Sequence, residues 1–242
     1  MTAFELAVQD AAGIRVAADL GVDRIELCSA LPLGGLTPSV GLITAAVASG
    51  VAVHVLVRPR GGDFEYDDDE RAVIVDDVRW ARAHGAAGVV VGGLRDGRVD
   101  EGLIARVTDA ADGGAVTFHR AFDNLVDLAS GLDRLRGLGV TRVLTSGGAA
   151  RADEALPVLR QLVAQADHGI EIMAGSGVRS DNVTRIVATG VDAVHASAKH
   201  AVAGRPGVSL GSAATDGGGH ESVDADEARR LVGILRATKD TR

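Results

Sequence analysis

Short apolar runs alternate with amphipathic stretches along the chain, in eight cycles. The runs at 3–8, 24–28, 51–58, 88–92, 115–119, 142–146, 170–174 and 193–197 are brief and apolar, the pattern of strands covered on both faces. Helical spacing of apolar residues fills positions 10–20, 39–49, 67–84, 152–166, 181–189 and 224–238. Several of these segments open on Asp or Ser, whose side chains accept from the first free N–H groups. Several close on a glycine, at Gly21, Gly50, Gly85, Gly139 and Gly190.

One joint recurs. Leu20-Gly21-Val22-Asp23-Arg24-Ile25 returns as Leu138-Gly139-Val140-Thr141-Arg142-Val143 and as Thr189-Gly190-Val191-Asp192-Ala193-Val194, and more loosely at 84–89. Each copy is a helix end, a glycine stop and a strand entry. Eight such βα units in 242 residues predict one domain, 1–242, folded as a single (β/α)8 TIM barrel. An open doubly wound sheet fits less well, because Val8-Gln9-Asp10 runs into a helix with no Gly-rich dinucleotide fingerprint. The stretch 199–223, rich in Gly and Ser, is expected to be an irregular loop after the eighth strand.

Composition narrows the partners. A net charge of −8 and 2% aromatic residues disfavour nucleic acid and acidic membrane surfaces. No apolar run reaches the ~18 residues of a membrane span, and the N-terminus lacks a secretion signal. One cysteine, Cys28, excludes an intrachain disulfide and suits a reducing, cytoplasmic setting. A homo-oligomer is a further expectation.

In such a barrel, chemistry gathers at the C-terminal strand ends. By the period of two, Glu5 and Ala7 share one face, as do Glu26 and Cys28, leaving Leu6 and Leu27 to face the helices. Inward carboxylates need partners, available in His54 and Arg58, in His119 and Arg120, and in His195 with Ser197. Glu26 is therefore expected to pair with an arginine or histidine. Glu5, Glu26 and His119 are the candidate acid–base groups. Arg58 and Arg60, flanking Pro59, form a candidate anion clamp with Arg120, His195 and Ser197. Two glycine-rich strand ends, with Ser146 and Gly147 in one and Gly175, Ser176 and Gly177 in the other, offer backbone N–H groups to a phosphate or carboxylate. A satisfied internal ion-pair network is the competing structural reading of the same residues. Lys199 is the sole lysine near a strand end, which disfavours a Schiff-base aldolase.

Six ordered strings carry a resemblance. They are 23–28, 34–39, 58–64, 116–123, 143–147 and 173–178, including Asp23-Arg24-Ile25-Glu26-Leu27-Cys28 and Thr117-Phe118-His119-Arg120-Ala121-Phe122-Asp123. Together they resemble the CutC family, named for copper homeostasis. The resemblance implies a cytoplasmic (β/α)8 barrel, a role in copper handling, and copper(I) as the metal, with Cys28 as a ligand. The position matching the family's other cysteine, at the end of the first strand, is Ala7. The residues alone point instead to a barrel enzyme, of lyase or isomerase type, acting on a small anionic substrate, a phosphorylated or carboxylated carbonyl compound. A non-catalytic binding module is the third reading.

Overall fold

The computed structural model describes residues 2–204 and 219–239. The strands in chain order are β1 (Ala3–Val8), β2 (Arg24–Leu27), β3 (Val53–Leu56), β4 (Gly88–Val91), β5 (Leu94–Arg95), β6 (Arg98–Val99), β7 (Ala115–Phe118), β8 (Arg142–Thr145), β9 (Glu171–Ala174), β10 (Ala193–Ala196), β11 (Lys199–Val202) and β12 (His220–Val223). The helices are α1 (Ala11–Leu20), α2 (Val40–Ala48), α3 (Asp68–Ala83), α4 (Glu101–Ala110), α5 (Leu128–Gly137), α6 (Leu156–Ala166), α7 (Val183–Val187) and α8 (Ala225–Lys239). Eight parallel strands close in the order β1-β10-β9-β8-β7-β4-β3-β2, and the helices pack outside them. This is the (β/α)8 barrel that the periodicity predicts.

The five expected glycine stops all adopt the left-handed backbone, from φ +60° at Gly21 to +93° at Gly85 and Gly190, where a side chain would be strained. Helix entries are capped as expected: Asp10 accepts from Gly13 N–H, and Asp67 and Glu70 form a reciprocal capping box on α3. Leu6 and Leu27 are fully buried in the core between strands and helices. Each such side chain contributes roughly 1.5–3 kcal/mol by leaving water. Inside the barrel, Cys28, Leu56 and Val90 form one small apolar group, and Leu144, Met173 and Ala193 another.

Three features differ from expectation. The helix expected over 152–166 begins only at Leu156, after a 3-10 turn at Ala152–Glu154, because Pro157 lacks the N–H that a longer helix would use. The hairpin β5–β6 lies outside the predicted elements; its turn is Asp96-Gly97, both at positive φ, which suits a tight two-residue connection. Finally, the ends of the stretch 199–223 are not irregular. β11 and β12 pair antiparallel from Lys199 opposite Val223 to Val202 opposite His220. The middle of that stretch lies outside the described residues. Among the described residues no helix is long and apolar enough to cross a membrane.

Candidate functional site

Strand register decides which inward groups meet. Glu5 lies beside Arg24 on β2 and beside His195 on β10. Arg24 Nε donates to Glu5 Oε2 at 2.7 Å, and His195 Nδ1 lies 2.8 Å from Glu5 Oε1. A carboxylate only accepts, so Nδ1 carries the proton. Burial alone would raise the Glu5 carboxyl, but His195 and Arg24 hold it well below the ordinary carboxylate range. Burial likewise disfavours the His195 imidazolium, yet Glu26 and Glu5 outweigh it and push its pKa above the ordinary value.

Glu26 sits in a different row, beside Ala7 on one side and His54 on the other. Among the described residues its side chain makes no hydrogen bond or ion pair, so the expected pairing does not form. The arginine next door, Arg24, is taken by Glu5. One oxygen of Glu26 lies within 4.8 Å of ligand atoms of Glu5 and His195. Burial pushes its carboxyl up to about 7, a rise that His195 only partly offsets. Burial also drives His54 down to about 4, and its Nδ1 is unpartnered.

Above these groups a cavity of about 500 Å³ opens at the C-terminal ends of the strands. Of the expected residues, Glu26, Arg58, His119, Arg120, Ser176, Gly177, His195 and Ser197 line it. Glu5 lies beneath, fully buried. Ser146 and Gly147 are not in the lining, for a clear reason. Asp123 already accepts from the N–H groups of Ser146 and Gly148, and Gly147 N–H donates to Thr145 Oγ1. A carboxylate of the chain itself thus fills the place expected for an external anion. Gly175 N–H is bound to the Thr145 carbonyl and also lies outside the lining. Arg60 is a second correction. It turns away to Glu70 and Asp63 at the start of α3. Arg58 does line the cavity, but two of its nitrogens clamp the carbonyls of Leu33, Gly35 and Gly62.

Sequence reasoning missed Arg151, Arg179 and Lys199 as lining residues. All three lie in loops or at a hairpin start, where no periodicity marks direction. Arg151 bonds Asp153 and Lys199 bonds Glu221, whereas the Arg179 side chain has no polar partner among the described residues. Beside it, the N–H groups of Ser176, Gly177 and Val178 donate to no described residue. Five cationic side chains therefore line the mouth of a chain whose net charge is −8.

The sequence profile of the CutC family matches residues 2–200. The chain belongs to the CutC family. A CutC family protein of Citrobacter koseri is 49% identical over 180 residues, covering 74% of this chain and 72% of the relative. One of Klebsiella pneumoniae is 42% identical over 239 residues, covering 96% and 93%. The solved structure of a CutC protein of Streptococcus agalactiae, described as a copper homeostasis protein, has a TM-score of 0.77 and 32% identity. It covers 81% of this chain and 99% of that one.

The donor set of this CutC chain does not fit copper(I), which favours thiolate and thioether ligands. Cys28 is fully buried among Leu56, Val90 and Leu31, and burial with nearby Glu26 pushes its thiol far up. Its partner position on β1 is Ala7. Met173 sulfur already accepts from Arg24 at 3.2 Å. Glu5, Glu26 and His195 are close enough to share a cation, but two of them are hard carboxylates, none offers sulfur, and Glu5 is held by Arg24 and His195.

Proposed function

We propose that this CutC family chain binds a small anionic, phosphorylated ligand at the barrel mouth and acts on it by proton transfer, as an enzyme of lyase or isomerase type. The observation that carries the reading is Glu26: a buried, unpaired carboxyl on the floor of a cavity lined by five cations. A structural ion-pair network would have paired it. A carboxyl that titrates near 7 is matched to accepting and returning a proton at neutral pH. His195, oriented by Glu5 through Nδ1, is the second acid–base group. The anion lies against Arg179 and the free N–H groups of Ser176, Gly177 and Val178, in the loop after the seventh barrel strand, where such barrels often hold phosphate. Calorimetric titration of the native chain with inorganic phosphate tests this. One saturable site that weakens with added salt is expected; no binding at millimolar phosphate overturns it.

The name of the Streptococcus agalactiae relative favours a second reading, copper(I) binding in the service of copper homeostasis. For this chain it rests on Cys28 alone, and is the weaker of the two.

A further inference from the structure

His119 lines the cavity at the end of β7, and its ring is held on three sides. Ala121 N–H donates to Nδ1 at 3.1 Å. The Phe64 ring lies 4.9 Å away, centroid to centroid. Gly92 supplies the third wall: a Cβ there would come within 2.1 Å of His119 Cε1, so the ring fits only against a glycine. Because a backbone N–H can only donate, Nδ1 is the lone-pair nitrogen, and a neutral ring must carry its proton on Nε2. That Nε2 is buried and has no hydrogen-bond partner among the described residues. Burial and the Arg58 guanidinium push the imidazole down to about 3, so the ring stays neutral and is no base at physiological pH. Its neutral ring suits hydrogen-bond donation rather than the proton transfer for which the sequence makes His119 a candidate. It is a fixed, uncharged donor without an acceptor.

The strand order distributes the cavity's groups around the mouth. Arg58 follows β3, diametrically opposite the Ser176–Arg179 loop that follows β9. His119 follows β7, between those poles on one side, and Glu26 belongs to β2 on the other. A ligand whose anionic group rests on the β9 loop would extend across the mouth past both.

We propose that His119 donates its Nε2–H to the carbonyl oxygen of a small phosphorylated carbonyl compound, while Glu26 takes a proton from the carbon next to that carbonyl. This rests on the anion-binding reading above. The C–H bond breaks and its proton passes to the Glu26 carboxylate. The freed pair forms a C=C bond, and the carbonyl π pair moves onto oxygen, where the His119 N–H holds the developing charge. Return of the proton from Glu26 restores the carbonyl, with no oxidant or co-reactant. A neutral preorganised donor aimed at developing charge is an established way to stabilise such an oxyanion.

The test uses two probes on the native chain: inorganic phosphate, and 2-phosphoglycolate, whose carboxylate mimics the enolate oxygens. Phosphoglycolate is expected to bind at least about tenfold tighter than phosphate, the effect of one charge-assisted hydrogen bond. His119→Phe should erase that advantage and leave phosphate affinity unchanged. His119→Gln, which keeps an N–H donor, should restore part of it. Nitrogen-15 spectra of the native chain should show a neutral His119 with its proton on Nε2, a readout that needs no variant to fold. Failure to bind phosphate at all would overturn the anion-binding reading. Phosphate binding with no advantage for phosphoglycolate, or a proton on Nδ1, would overturn the role of His119 alone.

Discussion

Glu5 and Glu26 stand on adjacent strands, yet their carboxyls shift in opposite directions, Glu5 down through its ion partners and Glu26 up through burial. Glu5 is held below its ordinary value by His195 and Arg24. It therefore stabilises the fold above that value, and this contribution is lost as pH falls through the folded pKa. Glu26 is the reverse. Its carboxyl rises from 4.5 to about 7, so it costs nothing below 4.5 and destabilises progressively as pH climbs to 7. At pH 8 the penalty is on the order of 3 kcal/mol. Glu26→Gln removes the charge and keeps the shape. The variant should melt several degrees above the native chain at pH 8 and coincide with it at pH 4. A lower melting temperature at pH 8 would mean that Glu26 is paired in solution. Cys28, facing Leu56 and Val90, gives a second test. Native protein should react with a thiol reagent at least about a hundredfold more slowly than unfolded protein, because a buried thiol with a raised pKa supplies almost no thiolate. In competition with a copper(I) chelator, Cys28→Ser should match the native chain. Tight, stoichiometric copper(I) binding lost in that variant would restore the copper reading.

At the scale of elements, Arg60 separates architecture from ligand binding. Its guanidinium joins Glu70 Oε1 at 2.5 Å and Asp63 at 3.1 Å, and Glu70 is half of the capping box that starts α3. Arg60→Met should lower stability by at most about 1 kcal/mol, the upper worth of a part-exposed ion pair, and leave phosphate affinity unchanged. Loss of phosphate affinity would return Arg60 to the cavity. The same helix shows what a sequence makes legible. Asp67 through Glu70 before an apolar stripe marks both cap and helix, because capping is a local interaction. The eight strands were legible to within a residue or two because each is a short apolar run ended by polar or glycine residues. Pro157 and the Asp96-Gly97 turn were equally readable, and both carried a signal that helical spacing alone obscured. The direction of Arg60 was not readable. A residue two beyond Arg58 has the right parity for the cavity only while the strand continues, and β3 ends at Leu56.

At the scale of the molecule, an acidic chain sets five cationic side chains around the mouth of its barrel, beside Glu26 and Glu227. Part of that site was legible. The period of two placed Glu5, Glu26, His54 and His195 inside, and the family strings marked His119 and the Gly175–Gly177 segment. Partner choice was not, since it depends on register between strands that are distant in sequence. Arg24 reaches Glu5 because β1 and β2 align Glu5 with Arg24, leaving Glu26 beside Ala7. Arg179 was hidden for a different reason, as it lies in a loop where side-chain direction follows no period. Its guanidinium has no polar partner among the described residues, so the fold does not depend on it. Arg179→Met should therefore leave the melting temperature within a degree or so, as expected of a surface change away from packing. A charge-assisted hydrogen bond to a phosphate contributes about 1.5–3 kcal/mol, so the same change should weaken phosphate binding roughly tenfold or more. A more negative chain would repel phosphate from any position, and that general effect has to be separated from a local contact. Arg106, exposed on α4 and outside the cavity lining, provides the control. Arg106→Met changes the net charge by the same single unit, and salt screens it over about 10 Å at 0.1 M. At that ionic strength Arg106→Met should bind phosphate like the native chain while Arg179→Met does not. Equal weakening in both variants would reduce the effect to overall charge and remove Arg179 from the site.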